Sequence, residues 1–151
     1  IKLSEIKFMK DVLFICTANI FRSRFSEEVY NSLALNANIS SKAFSAGLMV
    51  GEYKTRKIYE PALRQLELLK IEPLRKNELS VHVNDIKLDK YKKIICMDQN
   101  EHFPMVEANS KLKAYDIEYW EIVDEPLVSS NISLPLCYDK IKNLLSEYPF
   151  D

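Results

Sequence analysis

The chain has 151 residues, of which 47% are hydrophobic and 28% charged, as in an ordinary globular protein of one domain. Its formal net charge of −1 gives no reason to expect nucleic acid or a membrane surface as a partner. The longest apolar runs have the length of a strand, too short to cross a bilayer, and we expect no signal peptide. We interpret residues 1–8 as an N-terminal extension or an expression remnant and 9–151 as the domain.

The three cysteines are Cys16, Cys96 and Cys137. Their odd number and unrelated spacings fit neither a disulfide framework nor a zinc site, so we expect no metal. Free thiols persist in a reducing compartment, and we therefore expect a cytoplasmic protein.

Apolar runs alternate with helical patterns along the chain. In the first half the pattern predicts a buried strand over 11–16, an amphipathic helix over 24–37, a short strand ending at Ser45 and a helix over 61–70. In the second half it predicts a strand over 91–97, a helix over the 100s, a strand over 114–120 and a helix over 136–148. This alternation is typical of an α/β fold, here a single-domain open sheet of about four parallel strands flanked by helices.

Ligands of such sheets bind beyond the carboxyl ends of the strands. We expect Cys16, Ser45, Asp98 and the segment after Trp120 to lie together at that edge, because each follows a predicted strand. We therefore expect the functional site at the carboxyl edge of the sheet.

The segment from Cys16 to Ser23 joins the first strand to the first helix. The unpaired N–H groups at the start of a helix, together with its dipole, form an anion site that can wrap around a phosphoryl group. Arg22 adds a planar fork matched to two phosphoryl oxygens. The same positive field favours the thiolate of Cys16, which is the nucleophilic form. The sequence therefore predicts a phosphate-binding loop whose nucleophile is Cys16.

The other loop residues have supporting roles in this interpretation. Ser23 can donate a hydrogen bond to the sulfur, and Asn19 tolerates the backbone angles of a tight curl. The remaining candidate phosphate-binding residues are Thr17, Ala18, Ile20 and Phe21. A cysteine and an arginine at this spacing also occur by chance, so the alternative is that Cys16 is a buried strand-end thiol and Arg22 a solvated cap.

The segments 12–33 (VLFICTANIFRSRFSEEVYNSL), 44–47 (FSAG), 94–98 (IICMD) and 123–126 (VDEP) carry recognisable motifs. Their content, order and spacing resemble those of the low-molecular-weight protein tyrosine phosphatases. The resemblance implies a metal-independent phosphomonoester hydrolase that acts on phosphotyrosine in proteins through a cysteinyl-phosphate intermediate. It also implies that no cofactor is needed, that the partner is a phosphorylated protein, and that the protein is a monomer or a weak dimer.

The mechanism needs an acid that protonates the leaving oxygen and later, as a carboxylate, activates water. The family's late acid loop usually has aspartate directly before proline, whereas here Glu125 separates Asp124 from Pro126. Counting from the fourth strand gives Asp124 and counting back from Pro126 gives Glu125, so we predict Asp124 as the acid and Glu125 as the alternative. Asp98 also follows a strand, but we interpret it as a helix cap.

Positions in and next to the loop depart from the family pattern. Phe21 stands where many members have a second cysteine, which leaves Cys16 without a nearby disulfide partner and open to further oxidation. Arg24 replaces a proline, and we expect it either to attract a dianion or to lie on the solvated face of the helix. By resemblance, Ile20 goes with phosphotyrosine, since members selective for phosphoarginine have threonine there.

The acid loop carries Leu127 and Val128 where the family commonly has aromatic residues that line the pocket. Tyr53, Tyr119 and Trp120 are other sources of aromatic surface, but we expect each of them to pack in or beside the core. These residues therefore do not specify the phosphorylated side chain.

Two other functions stay open. Arsenate reductases of this family pass oxidising equivalents to further cysteines, but no second thiol closely follows Cys96, which we interpret as a buried strand thiol. A catalytically weak phosphate-binding module would keep the loop and lack an effective acid. His102 lies on the expected edge, and we expect it on the surface of its helix.

Overall fold

The computed structural model describes residues 11–52 and 55–150, so the expected extension at 1–8 and Tyr53 lie outside the described residues. The strands are β1 (Val12–Cys16), β2 (Ala43–Gly47), β3 (Lys93–Cys96) and β4 (Ile117–Tyr119). The α-helices are α1 (Arg22–Asn36), α2 (Glu60–Leu68), α3 (Gln99–Glu107) and α4 (Ser130–Ser146). Short 3₁₀ turns cover Val83–Asp85, Leu88–Lys90 and Leu112–Ala114.

The four strands form one sheet in the order β2-β1-β3-β4, and all neighbouring pairs are parallel. Parallel neighbours need crossover connections, which the helices provide. The expected α/β architecture is confirmed. The register pairs Cys16 with Gly47, so β1 and β2 end side by side at the carboxyl edge.

Two predicted element starts are wrong by three residues or more, each for a local reason. Helix α4 begins at Ser130 and not at 136, because the Ser129 hydroxyl accepts the N–H of Asn131 at 3.3 Å and caps the helix. Strand β4 is only three residues long because the turn Leu112–Ala114 occupies the start of the predicted strand.

Strand β1 is buried on both faces, as the central strand of a parallel sheet must be. Phe14 points into the larger core cluster beneath α1 and α4, and Leu13 and Ile15 point into a second cluster on the opposite face. Cys16 belongs to the α1 side, where the loop after it leads into that helix. Within 11–52 and 55–150, no helix is both long and apolar enough to span a membrane.

Candidate active site

The loop between β1 and α1 is held from the β2 side by a close backbone approach. The amides of Leu48 and Met49 donate to the carbonyl oxygens of Cys16 and Thr17 at 3.0 Å and 2.8 Å. A Cβ on Gly47 would lie 2.8 Å from the Thr17 carbonyl oxygen and 3.0 Å from the Asn19 nitrogen. Only glycine therefore fits at this point of the sheet edge.

Asn19 holds the curl of the loop. Its φ of 56° lies in the left-handed region, which asparagine tolerates better than most residues. Its Nδ2 donates to the hydroxyl oxygens of Ser23 at 2.8 Å and Ser45 at 2.9 Å, and its Oδ1 accepts the N–H of Val81 at 2.9 Å. Because Asn19 is fully buried, these bonds fix the loop from within the protein.

Cys16 and Ser23 close the loop at its base. The Cys16 sulfur lies 2.9 Å from the Ser23 hydroxyl oxygen, and the cysteine residue is only 2% exposed. The structure thus brings the predicted nucleophile together with the serine predicted to donate to it.

Arg22 is 1% exposed and points its guanidinium at the base of the loop region. Nη1 donates to the Ile122 carbonyl oxygen at 2.9 Å, while Nη2 donates to Glu101 Oε2 at 2.7 Å and lies 3.3 Å from Asp124 Oδ2. Burial alone would lower the pKa of Arg22, but the charges of Cys16, Asp124 and Glu101 raise it, so it stays a cation. Among the described residues Nε has no hydrogen-bond partner, which leaves a buried donor for an anion.

A cavity of about 320 Å³ opens above the loop. It is lined by Cys16, Thr17, Ala18, Ile20, Phe21, Arg22, Tyr59, Asp124 and Glu125. This cavity thus brings together the predicted nucleophile, the predicted anion-binding arginine and both candidate acids. These residues were expected to meet at the carboxyl edge of the sheet. Asn19 and Ser23 are not among the lining residues and act from beneath it.

The two candidate acids have different partners. The side chain of Asp124 faces Arg22, and its Oδ1 also accepts the N–H of Glu125 at 2.9 Å. Burial raises the pKa of Asp124; Arg22 lowers it, and Glu101 and Glu125 raise it further. Glu125 instead accepts the N–H of Ser130 at 3.3 Å, at the start of α4. Asp124 is thus ion-paired with Arg22, whereas Glu125 accepts a hydrogen bond from the start of α4, and both residues line the cavity.

The sequence profile described as "Low molecular weight phosphotyrosine protein phosphatase" matches residues 11–148. The chain belongs to this family. No curated protein matches the chain.

Solved structures of other proteins share the fold of this chain. YfkJ from Bacillus subtilis has a TM-score of 0.77 at 23% identity, and the match covers 92% of this chain and 94% of that one. A low molecular weight protein tyrosine phosphatase from T. tengcongensis has a TM-score of 0.76 at 17% identity, over 91% and 99%. An arsenate reductase from Archaeoglobus fulgidus has a TM-score of 0.67 at 23% identity, over 91% and 100%. The fold therefore includes both phosphatases and arsenate reductases.

Sequence reasoning missed Glu101 and misplaced His102. Both lie in the first turn of α3, and the Oε2 atom of Glu101 contacts Arg22 as well as the hydroxyl of Thr17. His102, expected on the surface, is fully buried, with Nε2 lying 3.1 Å from the Thr17 hydroxyl oxygen. Both side chains reach the loop because α3 begins at the carboxyl edge of the sheet. No motif in the sequence indicates this position.

Asp98 precedes α3 at the expected cap position, but its side chain makes no capping hydrogen bond. Its backbone N–H instead donates to Nδ1 of His102 at 3.1 Å. The prediction of a side-chain cap is therefore wrong. The hydrogen bond at the junction between β3 and α3 is accepted by the side chain of His102, one turn later.

Arg24 does not lie on the solvated face of its helix, which was one of the two alternatives expected for it. The residue is fully buried, and its Nη2 donates to the Arg75 carbonyl oxygen at 2.7 Å. The nearby carboxylates of Glu27 and Glu28 supply opposite charge to this interior position. Arg24 lies under the loop and lines no part of the phosphate cavity.

The aromatic wall of the cavity comes from Tyr59, a residue that sequence reasoning did not single out. Its ring contacts Phe21 edge to face, with centroids 5.4 Å apart, and its amide donates to the Ile20 carbonyl oxygen at 2.7 Å. As expected, Trp120 packs in the core, against Phe14; Tyr119 contacts Phe103 outside the cavity.

Proposed function

We propose that the protein is a metal-independent phosphomonoester hydrolase that acts on phosphotyrosine in proteins through a cysteinyl-phosphate intermediate. The observation that carries the proposal is that Cys16, Arg22 and Asp124 line one cavity, and that the buried Nε of Arg22 has no hydrogen-bond partner among the described residues. A nucleophile, an anion site and a proton donor are the groups that such a reaction requires.

In the first step the Cys16 thiolate attacks phosphorus, and the bond from phosphorus to the leaving oxygen breaks as that oxygen takes the proton of Asp124. Arg22 and the loop amides stabilise the charge on the equatorial oxygens. In the second step the Asp124 carboxylate removes a proton from water, which attacks phosphorus and releases the thiolate. Inorganic phosphate leaves, and the enzyme returns to its starting state.

The apolar side of the cavity supports an aryl leaving group. Tyr59, Ile20 and Phe21 line that side, and an aromatic ring packs favourably against such residues. Ile20 also agrees with phosphotyrosine in the family resemblance. Thr17 and Ala18 complete the loop around the phosphoryl group. We further propose that the substrate is a phosphorylated protein and that the enzyme works in the cytoplasm as a monomer or weak dimer.

The test is hydrolysis of para-nitrophenyl phosphate in EDTA at about pH 5 to 7, where the acid and the nucleophile can both be in their working forms. Wild type is compared with Cys16→Ser, Asp124→Ala and Glu125→Ala. We expect activity in EDTA that disappears with Cys16→Ser and falls sharply with Asp124→Ala only. A wild type no faster than Cys16→Ser would contradict the proposal and indicate a phosphate-binding module.

A phosphotyrosyl peptide and a phosphoarginyl peptide, assayed side by side, test the substrate class. We expect the phosphotyrosyl peptide to have the higher kcat/KM, because the cavity wall is apolar and aromatic. A preference for phosphoarginine would overturn the substrate assignment and leave the hydrolase assignment intact.

A further inference from the structure

Glu101 bridges the two ends of the phosphate-binding loop through a single oxygen. Its Oε2 accepts the hydroxyl of Thr17, directly after the nucleophile, and Nη2 of Arg22 at 2.7 Å. The same oxygen lies 3.1 Å from Nε2 of His102. The side chain is 26% exposed, so this carboxylate is largely withdrawn from water.

His102 has a fixed tautomer in this arrangement. Its Nδ1 accepts the backbone N–H of Asp98, so that ring nitrogen carries no hydrogen. The hydrogen is therefore on Nε2, which lies 3.1 Å from both Glu101 Oε2 and the Thr17 hydroxyl oxygen. A neutral, fully buried histidine can thus donate to the carboxylate and hold it in place.

The surroundings of Glu101 favour its ionised form. Burial on its own would raise the pKa of Glu101, but hydrogen bonds from His102, Arg22 and Thr17 and the charge of Arg22 hold it well below its usual range. A negative charge therefore lies behind Arg22 and Thr17, which line the cavity, while Glu101 itself is not a lining residue.

Two carboxylates meet the same guanidinium nitrogen. Nη2 of Arg22 lies 2.7 Å from Glu101 Oε2 and 3.3 Å from Asp124 Oδ2. Since like charges this close oppose joint ionisation, the charge on Glu101 favours the protonated form of Asp124. The working acid must carry that proton when substrate binds.

We propose that Glu101 is a positioning residue of the phosphatase, which directs Nε of Arg22 toward the phosphoryl group and keeps the proton on Asp124. The proposal rests on the proposed function for its catalytic consequence. Glu101 holds Nη2 and the Ile122 carbonyl oxygen holds Nη1, which fixes the guanidinium plane and leaves the unpartnered Nε as a donor for substrate.

Other ionisable groups also face Asp124. They are Arg22 from α1, Glu101 from α3, Tyr59 before α2, Cys16 at the end of β1, and Glu125 beside it. Of the described carboxylates, Glu101 and Asp124 are the two that are ion-paired with Arg22. Neutralising Glu101 leaves Arg22 wholly available to Asp124, which then loses its proton at lower pH.

The decisive variant is Glu101→Gln, which keeps the shape and a hydrogen-bond acceptor but removes the charge. Glu107→Gln is the matched control, since it removes the same charge from the far end of α3. We expect the alkaline limb of kcat/KM for para-nitrophenyl phosphate to move to lower pH by roughly half a unit or more in Glu101→Gln. Inorganic phosphate should also inhibit this variant about 2- to 5-fold more strongly, because a repelling charge is gone.

Glu101→Asp tests the effect of side-chain length separately from the effect of charge. It keeps the negative charge on a shorter side chain, so the alkaline limb should stay near that of wild type while kcat falls because Arg22 is no longer fixed. An alkaline limb that is unchanged in Glu101→Gln, or that shifts equally in Glu107→Gln, would overturn the proposal. The proposal would also be overturned if the alkaline limb of kcat/KM shifted as far in Glu101→Asp as in Glu101→Gln.

A direct titration of the Asp124 carboxyl by NMR, in wild type and Glu101→Gln, makes the test independent of turnover. A lower midpoint in the variant supports the charge coupling even if no hydrolysis is observed, in which case the proposed function alone has failed. An equal midpoint in both proteins overturns the coupling even if the phosphatase is active.

Discussion

The hydroxyl oxygen of Ser23 lies 2.9 Å from the sulfur of Cys16, where the phosphate-binding loop enters α1. Asn19 donates to the same oxygen at 2.8 Å, so Ser23 is already an acceptor toward the loop. A thiolate has no hydrogen to give, and Ser23 must therefore donate to it. In the proposed mechanism this hydrogen bond stabilises Cys16 both as the attacking thiolate and as the leaving group of the second step.

Ser23→Ala removes this donor. We expect kcat to fall about 10- to 100-fold, the range for a hydrogen bond to a charged group. Release of thiolate from the cysteinyl-phosphate should become slower, so stopped-flow traces should show a larger burst of nitrophenol before the steady state. Ser32→Ala, further along the same helix, should leave both phases unchanged; an equal loss there would indicate a general effect on α1.

The loop was predictable because its chemistry is local. A short loop separates Cys16, at the end of a strand, from Arg22, at the start of a helix. The apolar run of that strand predicts that both residues lie at the carboxyl edge of the sheet. The position of Asp124 followed in the same way from the fourth strand. Parallel pairing followed from the alternation of strands and helices, because crossovers of this length leave few other topologies.

Glu101, His102 and Arg24 were not predictable in this way. Glu101 reaches Arg22 from 79 positions along the chain, and only the start of α3 at the sheet edge brings it there. Arg24 is buried because a carbonyl from the segment before β3 and carboxylates of its own helix meet it in the interior. Such contacts are set by tertiary packing and leave no periodicity or motif in the sequence.

Asp124 sets the alkaline limit of activity in the proposed mechanism. The general acid must be protonated, and burial raises its pKa, so activity persists to higher pH than an ordinary aspartate would allow and is lost as pH rises through that pKa. Asp124→Asn should lower kcat/KM by about 10²- to 10⁴-fold for substrates with poor leaving groups and abolish the alkaline limb. Glu125→Gln should keep the limb; if this variant loses it instead, Glu125 is the acid.

Tyr59 should determine the preference for aryl phosphates. Tyr59→Ala removes the aromatic wall while its backbone bond to Ile20 stays available, so kcat/KM for a phosphotyrosyl peptide should fall about 3- to 10-fold, as for one lost aromatic contact. Hydrolysis of an alkyl phosphate such as glycerol phosphate should change little. Tyr59→Phe is the control for the hydroxyl near Glu125 and should retain the aryl preference; equal losses on both substrates would refute the role.

Cys96 and Cys137 should take no part in redox chemistry. Both side chains are buried, and burial raises the pKa of each thiol to about 12, which disfavours the thiolate needed to attack an oxidised Cys16. Peroxide should therefore drive Cys16 to sulfinic acid, and activity should not return with dithiothreitol after long exposure. Cys96→Ser and Cys137→Ser should inactivate at the wild-type rate, and mass spectrometry should find no disulfide. Thiol-dependent turnover of arsenate that is lost in Cys96→Ser would contradict this prediction and support an arsenate reductase.

Arg75 neutralises a carboxylate beneath the loop. Its Nε lies 2.6 Å from Oε2 of Glu27, a fully buried residue whose Oε1 also accepts the Ser45 hydroxyl at 2.6 Å. Arg75→Ala removes the hydrogen-bonded ion-pair partner of this buried charge and leaves the nearby cation Arg24, so it should lower the free energy of unfolding by about 2–4 kcal/mol, measured by urea denaturation.

The double variant Arg75→Ala with Glu27→Gln provides the control for this prediction. Removing the charge that Arg75 neutralises should restore part of the lost stability, because the introduced amide can still accept from Ser45 without the cost of a buried charge. If the double variant is less stable than Arg75→Ala alone, the Glu27 charge is still balanced by Arg24 when Arg75 is absent, and the prediction is contradicted.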